Sequence, residues 1–367
     1  MFMPTQKYKM KIVQIIPQLS SGGAERFVVD LANELSLRHD VVLVVSFALT
    51  GQNAFYLSDV SERLKVCSLD KKLGFDVAYL YRLYKTIKKE APDVVHTHVE
   101  SFAHFALLKW LFPRVKFVHT VHSDAQFEAG GKLKTFLKKL FFRKKWCKAV
   151  TISNKSDESF KEFYRGSTPS LLIYNGRSLS VKWSDNELVS RVDGRYNLVS
   201  IAHISPVKNH MLLCSAVDRL TKNNAPIELY MFGRFVDEDI VNGIKALNNP
   251  HIHLLGEVEN PRQYLHNADV FCMSSVIEGM PISLIEALSC GLTPVCTAVG
   301  GIVDIVEDGK NGFLSQDMTV ESYVEAIERY LALTDNQKVE MKQQSIKSAQ
   351  KYSIEECAKQ YEIVYTA

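Results

Sequence analysis

Glu278-Gly279-Met280-Pro281-Ile282-Ser283-Leu284-Ile285-Glu286 carries more chemistry than any other stretch of the chain. The apolar run Val270-Phe271-Cys272-Met273 leads in, and two carboxylates then bracket a Gly-X-Pro turn that opens a helix. Proline suits a first helical position, because its ring presets φ and the N–H it lacks would have had no partner there. The amides of Ile282 and Ser283 then point out of the helix start, where the macrodipole favours an anion. One acid stands before that anion site and the other about two turns into the helix. The arrangement suits a nucleotide diphosphate, with a diol on one side and a sugar on the other. A plainer reading makes Glu278 a loop acid and turns Glu286 to solvent. Against it, a stripe such as Ile282, Ile285 and Leu288 leaves Glu286 on a flank beside the helix start.

Outward from this segment, strands and helices alternate. Apolar, β-branched runs occur at 11–17, 41–47, 65–69, 93–98, 116–122, 149–153 and 171–174, and again at 198–204, 227–232, 252–258, 270–274 and 293–296. Helical spacing falls between most of them, as in Phe27, Leu31 and Leu35. Continuous apolar strands separated by helices imply a parallel sheet covered on both faces. The polar stretch 177–195 has no clear period and reads as a linker. The chain is therefore an α/β protein of two doubly wound halves, with ligands expected beyond the carboxyl ends of the strands. A length of 367 residues fits two domains better than one core.

Composition narrows the functional classes. Apolar residues make up 46% of the chain, which suits a globular protein, and a net charge of +3 is too small to imply nucleic acid. The seven cysteines form no C-x-x-C pair and several lie in strand-like runs, which reads as reduced thiols of a cytoplasmic protein. The run 12–17 is short and broken by Gln14 and Pro17, so it reads as a first strand and not a signal peptide. No stretch approaches the roughly 20 apolar residues of a membrane span. No Gly-X-Gly-X-X-Gly follows the first strand, which disfavours a nicotinamide enzyme.

Beyond Glu286 the chain continues Ala287-Leu288-Ser289-Cys290-Gly291-Leu292-Thr293-Pro294-Val295, then Thr297-Ala298-Val299-Gly300-Gly301-Ile302-Val303-Asp304-Ile305-Val306 and Asn311-Gly312-Phe313-Leu314. With the two glutamates separated by seven residues, this run resembles the donor-binding signature of retaining glycosyltransferases of family four, the group 1 glycosyl transferases. The resemblance implies the GT-B architecture: two Rossmann-like doubly wound domains facing a central cleft. It places an acceptor-side domain over 1–180, a nucleotide-sugar domain over 190–351 and a terminal helix, 352–367, packing back on the first domain. In donor binding it implies Gly279, Met280, Pro281, Ile282 and Ser283 around the phosphates, Glu286 on the ribose diol and Glu278 on the sugar.

Lys208 follows the strand at 198–204 and opens a helix over 209–220. A cation at a helix start opposes the macrodipole unless an anion sits there. A solvated surface lysine is the alternative, and the resemblance favours a lysine on the donor pyrophosphate. The family's arginine five positions earlier is His203 here, which offers one hydrogen-bond donor when neutral and full charge only if protonated. Arg234 is a second candidate for that charge. Ser20-Ser21-Gly22-Gly23-Ala24-Glu25 follows the first strand, and glycines there admit a ligand close to the backbone. A tight turn explains them equally well. The resemblance assigns Gly23 to the donor side and Glu25 to the acceptor side.

His96, His98, His119 and His122 cluster at strand ends without a carboxylate or cysteine to complete a metal set. His122 matches the family histidine that reaches the donor sugar; His96 and His98 are placed near the acceptor or as satisfied internal histidines. Asp237-Glu238-Asp239 reads as first-turn acids favoured by the dipole, so no metal is expected. Residues 132–148 hold eight lysines and arginines, with Leu133, Phe136, Leu137, Leu140 and Phe141 at helical spacing, joined by Phe142 and Trp146. This is either a peripheral element for an anionic membrane or a core-facing helix with a solvated basic face.

Taken with the resemblance, these residues imply a retaining, metal-independent glycosyltransferase without a cofactor. Glu278, His122 and Lys208 are the candidate catalytic groups. As substrates the resemblance implies a UDP- or GDP-linked sugar and a saccharide or polyprenyl-linked acceptor, in cell-surface polysaccharide synthesis. The alternatives are a nucleotide-sugar epimerase or hydrolase on the same frame, and a non-catalytic sugar-nucleotide-binding subunit, which His203 in place of arginine would favour.

Overall fold

Five of the six residues of the first strand, β1 (Lys11–Ile16), are buried, as a strand with helices on both faces requires. The computed structural model describes residues 9–74, 76–99, 108–165, 169–181, 183 and 188–367; the side chains of Phe127 and Leu133, and residues 182 and 184–187 of the expected linker, lie outside that description. Two units divide the chain: Met1–Ser178 with Ile354–Ala367, and Leu179–Ser353.

The first unit continues with α1 (Gly23–Ser36), β2 (Asp40–Val45), β3 (Lys65–Ser68), α2 (Val77–Glu90), β4 (Val94–His98), β5 (Lys116–Val121), α3 (Ala125–Ala129), α4 (Lys132–Arg143), β6 (Lys148–Thr151), α5 (Asn154–Phe163) and β7 (Leu171–Leu172). Its seven strands run in the order β3-β2-β1-β4-β5-β6-β7, all parallel. The winding direction reverses between β1 and β4, which opens a crevice at their carboxyl ends. Local chemistry sets the helix starts: Asp76 caps α2 by accepting from Tyr79 N–H, and Ser153 and Ser156 form a reciprocal capping box on α5.

The second unit holds β8 (Tyr196–Ile201), α6 (His210–Lys222), β9 (Ile227–Phe232), α7 (Glu238–Ala246), β10 (Ile252–Gly256), β11 (Val270–Met273), α8 (Ile282–Ser289), β12 (Thr293–Thr297), α9 (Ile302–Ile305), β13 (Phe313–Ser315), α10 (Val320–Leu331) and α11 (Asp335–Ala349). Its six parallel strands run β10-β9-β8-β11-β12-β13, and the reversal falls between β8 and β11. The sequence reading did not include β13. Its core joins Leu198, Leu229, Val270 and Val295 of the sheet to Leu213, Val217, Tyr323 and Ile327 of α6 and α10.

The last helix, α12 (Ile354–Thr366), lies in the first unit against α1. Arg38 Nε donates to Glu362 Oε1 at 2.6 Å. At the other end Lys116 Nζ donates to the carbonyls of Tyr365 (3.0 Å) and Thr366 (2.8 Å), and Lys148 Nζ to that of Val364 (3.0 Å). Two ammonium groups thus meet the negative end of the helix dipole and its otherwise unsatisfied carbonyls.

Candidate functional site

The turns that leave β8 and β11 lie side by side at the reversal point of the second unit. Ser274 Oγ donates to the carbonyls of Lys208 and Asn209, both at 3.0 Å, and Val276 N–H donates to Val207 O at 2.8 Å. These bonds bring Lys208 Nζ to 2.6 Å from Glu278 Oε1. Ser275 Oγ donates to the same oxygen at 2.6 Å. The carboxylate side chain is only 8% exposed and the ammonium 27%, so the pair opens toward solvent on the lysine side.

Two local expectations are corrected here. Pro281 is the N-cap of α8, with extended ψ (117°), and not its first helical residue. Helix α6 begins at His210 and not at residue 209, because Asn209 has a left-handed φ of 50°; Lys208 ends a short 3-10 turn instead. Ile285 is the first residue of α8 to bond back, to Pro281 O, so the amides of Ile282, Ser283 and Leu284 precede the intrahelical ladder. Met280, Ile282 and Glu286 are buried and Ser283 is half-buried. Glu286 therefore does not face solvent.

His210 is a residue the sequence reading missed. Its ring is 2% exposed, and burial, with Lys208 and His203 adding repulsion, pushes its pKa down to about 4. Three basic side chains thus converge where β8 ends. The Lys-Asn-His order was the available signal, but nothing in it distinguished a core histidine from one beside the lysine. Ser275 was missed too; it precedes Glu278 by three residues and holds its carboxylate.

Gly300 has a φ of +52°, and a Cβ there would sit 1.8 Å from Glu278 O. Next to it, Gly301 N–H donates to Gly279 O at 3.0 Å. The Gly-Gly pair therefore lets one loop press against the backbone that carries Glu278. Gly300→Ala should lose at least about 1–2 kcal/mol from backbone strain alone and displace Glu278. Differential scanning calorimetry and kcat/KM will show both losses together, with at least a tenfold kinetic effect.

In the first unit Gly22 is the N-cap of α1 and Gly23 its first residue, at the reversal between β1 and β4. Glu25 folds back on this turn: Ser20 Oγ donates to its Oε1 at 2.9 Å, and a Cβ on Gly22 would meet its Oε2 at 2.2 Å. Burial raises the Glu25 pKa, against the hydrogen bonds that lower it. A side chain at position 22 would therefore have to displace the Glu25 carboxylate.

The four histidines separate onto opposite sheet faces. His96 and His98 are 0% exposed, and both ring nitrogens of each have partners within the protein. His119 lies on the other face, with Nε2 3.0 Å from Glu128 Oε1, while Glu128 Oε2 accepts from His122 N–H at 2.9 Å. Burial lowers the His122 pKa to about 4. Among the described residues no three His, Cys, Asp or Glu side chains are arranged to hold a metal ion. Asp237 caps α7 by accepting from Ile240 N–H, with Glu238 and Asp239 in the first turn.

The basic helix departs from its expected stripe. Lys138 is 3% exposed and donates to Glu128 O at 2.7 Å, whereas Phe136 is 64% exposed. Phe141 and Phe142 are buried, Leu137 and Leu140 are half-buried, and Lys132, Lys134, Lys139, Arg143, Lys144 and Lys145 stay exposed. One lysine has thus become a strut behind the His122 turn.

Two family models divide the chain between them: Glycosyltransferase Family 4 matches residues 21–181, and Glycosyl transferases group 1 matches residues 183–352. Among similar curated proteins is the GalNAc-alpha-(1->4)-GalNAc-alpha-(1->3)-diNAcBac-PP-undecaprenol alpha-1,4-N-acetyl-D-galactosaminyltransferase of Campylobacter jejuni, 27% identical over 83% of this chain and 84% of its own. Another is the UDP-Gal:alpha-D-GlcNAc-diphosphoundecaprenol alpha-1,3-galactosyltransferase of Escherichia coli, 27% identical over 88% of both chains. The crystal structure of HepE of Anabaena with UDP and glucose superposes with a TM-score of 0.80 over 97% of this chain and 99% of that one, at 18% identity, a likeness of fold. These curated relatives are transferases, which sets the epimerase and hydrolase alternatives aside.

Proposed function

The chain belongs to the group 1, family 4 glycosyltransferases, and from that premise we propose that it transfers a sugar, with retention and without a metal, from a UDP- or GDP-linked donor to a saccharide on a polyprenyl diphosphate. The observation that carries this reading is the Lys208–Glu278 pair at the β8/β11 reversal. Donor phosphates entering beside the α8 amides draw Lys208 away from Glu278. Ser275 keeps the freed carboxylate in place, and Glu278 then accepts from hydroxyls of the donor sugar. Lys208 and the helix start neutralise the departing diphosphate; stabilising such developing charge is usually what lowers the barrier most. His203 adds an N–H donor, Glu286 takes the ribose diol, and the backbone of Gly279–Ser283 lines the phosphates. In the first unit His122 receives a sugar hydroxyl, Gly23 admits a ligand to the backbone, and Glu25 stands on the acceptor side.

The acceptor class is supported by the two relatives, whose names specify undecaprenyl diphosphate saccharides. A peripheral seat on the cytoplasmic face of an anionic membrane suits such an acceptor. Among the described residues no helix is long and apolar enough to cross a membrane. Six exposed cations of 132–145 and the ring of Phe136 are available for a bilayer surface, at about 1 kcal/mol per cation. Vesicles containing anionic lipid should co-sediment the protein, and neutral vesicles should not.

The test is incubation with a panel of UDP- and GDP-sugars and a polyprenyl-diphosphate saccharide, in the presence of a chelator. A product one sugar longer, with the anomeric configuration of the donor by NMR, is expected. Inversion, a chelator-sensitive reaction or release of free sugar alone would overturn the reading.

A further inference from the structure

Behind His122, on the face of the first sheet that meets α12, lies a closed set of polar side chains. Gln14 of β1, His96 and His98 of β4 and Thr120 of β5 are all 0% exposed. Gln14 Nε2 donates to the Tyr365 hydroxyl at 3.2 Å, and Gln14 Oε1 lies 2.6 Å from His98 Nε2. His98 Nδ1 is 3.0 Å from His122 Nε2. The Tyr365 hydroxyl also meets His96 Nδ1 at 2.7 Å, and His96 Nε2 meets Thr120 Oγ1 at 2.8 Å. Every polar atom of the three rings has a protein partner except His122 Nδ1, which is buried without one among the described residues.

Counting protons from Gln14 through His98 to His122 leaves one arrangement. Burial, followed by the neighbouring rings, holds His96 and His98 well below the usual histidine range, so all three rings are neutral and each carries a single N–H. The 2.6 Å contact suits an N–H meeting the amide oxygen of Gln14 and is too short for two nitrogens, while the 3.2 Å contact suits its amide nitrogen. His98 therefore bears its proton on Nε2 and offers a lone pair at Nδ1. His122 must donate to that lone pair from Nε2, which leaves its own lone pair on Nδ1. The Tyr365 oxygen, which accepts from Gln14 Nε2, meets His96 Nδ1 on its other side. Phe27 stands edge-on to both rings, with centroids 6.1 Å from His98 and 5.7 Å from His122. On the other sheet face Glu128, paired with His119, fixes the His122 backbone, and Lys138 holds the Glu128 carbonyl.

We infer that Gln14, His98 and Tyr365 are positioning residues that make His122 Nδ1 an obligate hydrogen-bond acceptor, so the ligand group facing it must be a donor, a hydroxyl or amide N–H, and a carboxylate is rejected. The ligand half of this inference rests on the proposed role of His122 in sugar binding; the tautomer half stands without it.

The experiment is long-range 1H–15N correlation NMR of the full chain with 15N-histidine at pH 7, with the His122 signals assigned by their loss in His122→Gln. Expected are an unprotonated resonance at Nδ1 and a protonated one at Nε2. In Tyr365→Phe the Gln14 amide is freed to turn, and the Nδ1 resonance should move toward the averaged position while the circular dichroism spectrum is retained. A protonated Nδ1 in the wild type, or a folded Tyr365→Phe with the wild-type spectrum, would overturn the relay. Saturation with the sugar donor that supports transfer should then shift the Nδ1 resonance, as a new donor reaches its lone pair. An unmoved resonance with active enzyme would overturn the ligand half, whereas absence of transfer from every sugar donor would count against the proposed activity and leave the tautomer result standing.

Discussion

Lys208→Ala should lower kcat/KM for the sugar donor by about 10²–10³-fold, the range seen when one preorganised donor to a developing negative charge is removed. The effect should exceed that of any other single cation here, because Lys208 is the ammonium placed by backbone bonds from Ser274 and Val276 at the β8/β11 reversal. Stability should change far less. Glu278 keeps the Ser275 hydroxyl, and Lys208 is partly exposed, so the cost lies between the about 0–1 kcal/mol of a surface pair and the about 3–5 kcal/mol of a buried one. Glu278→Gln removes the same ion pair from the other side. If both groups act on one bound donor, the double variant should be much less impaired than the product of the two single effects. Multiplying effects would mean that the pair is a structural bridge beside the chemistry.

Acidification should destabilise the protein steeply before carboxylates titrate. His122 and His210 have folded pKa values of about 4, against about 6.5 unfolded, and burial holds His96 and His98 well below the usual histidine range. Between about pH 6.5 and 4 the unfolded chain binds protons that the folded chain refuses. Stability is therefore full above the unfolded pKa, falls as pH drops through this window, and for each ring levels off below its folded pKa. A shift of this size is worth on the order of 3 kcal/mol per ring, and a domain has only about 5–15 kcal/mol in total. His96, His98 and His122 all lie in the first unit, so its melting should fail first. Melting followed by circular dichroism from pH 8 to 4 should show a sharp fall below about pH 6; a flat profile down to pH 5 would refute the neutral-histidine core. Paired carboxylates such as Glu128 and Asp157, whose pKa values are lowered, add their loss only at still lower pH.

Much of this architecture was legible because its strands are buried on both sides. The apolar runs at 11–17, 116–122 and 227–232 became β1, β5 and β9 within one residue at each end. The short strand β13 escaped notice because three residues carry no period. The proline at 281 was read one position too deep: whether a proline caps a helix or begins it depends on how the chain leaves β11, which local preference does not encode. Strand alternation put His96 and His98 on one face but could not say what covers it. Tyr361 and Tyr365, more than two hundred residues later, supply the cover. The basic helix shows the same limit, since Lys138 is buried by a carbonyl on α3 that periodicity cannot see. Lys208 and Glu278 could be named from the sequence; their contact, and Ser275 and Gly300 that shape it, belong to tertiary structure.

The most direct test of the anion pocket is calorimetric titration of a nucleoside diphosphate, UDP or GDP, into the wild type and into Lys208→Met, which keeps the side-chain length and drops the charge. The account predicts binding to the wild type and at least tenfold weaker binding to the variant, about 1.4 kcal/mol or more. Equal affinity for the two proteins would show that the phosphates dock elsewhere.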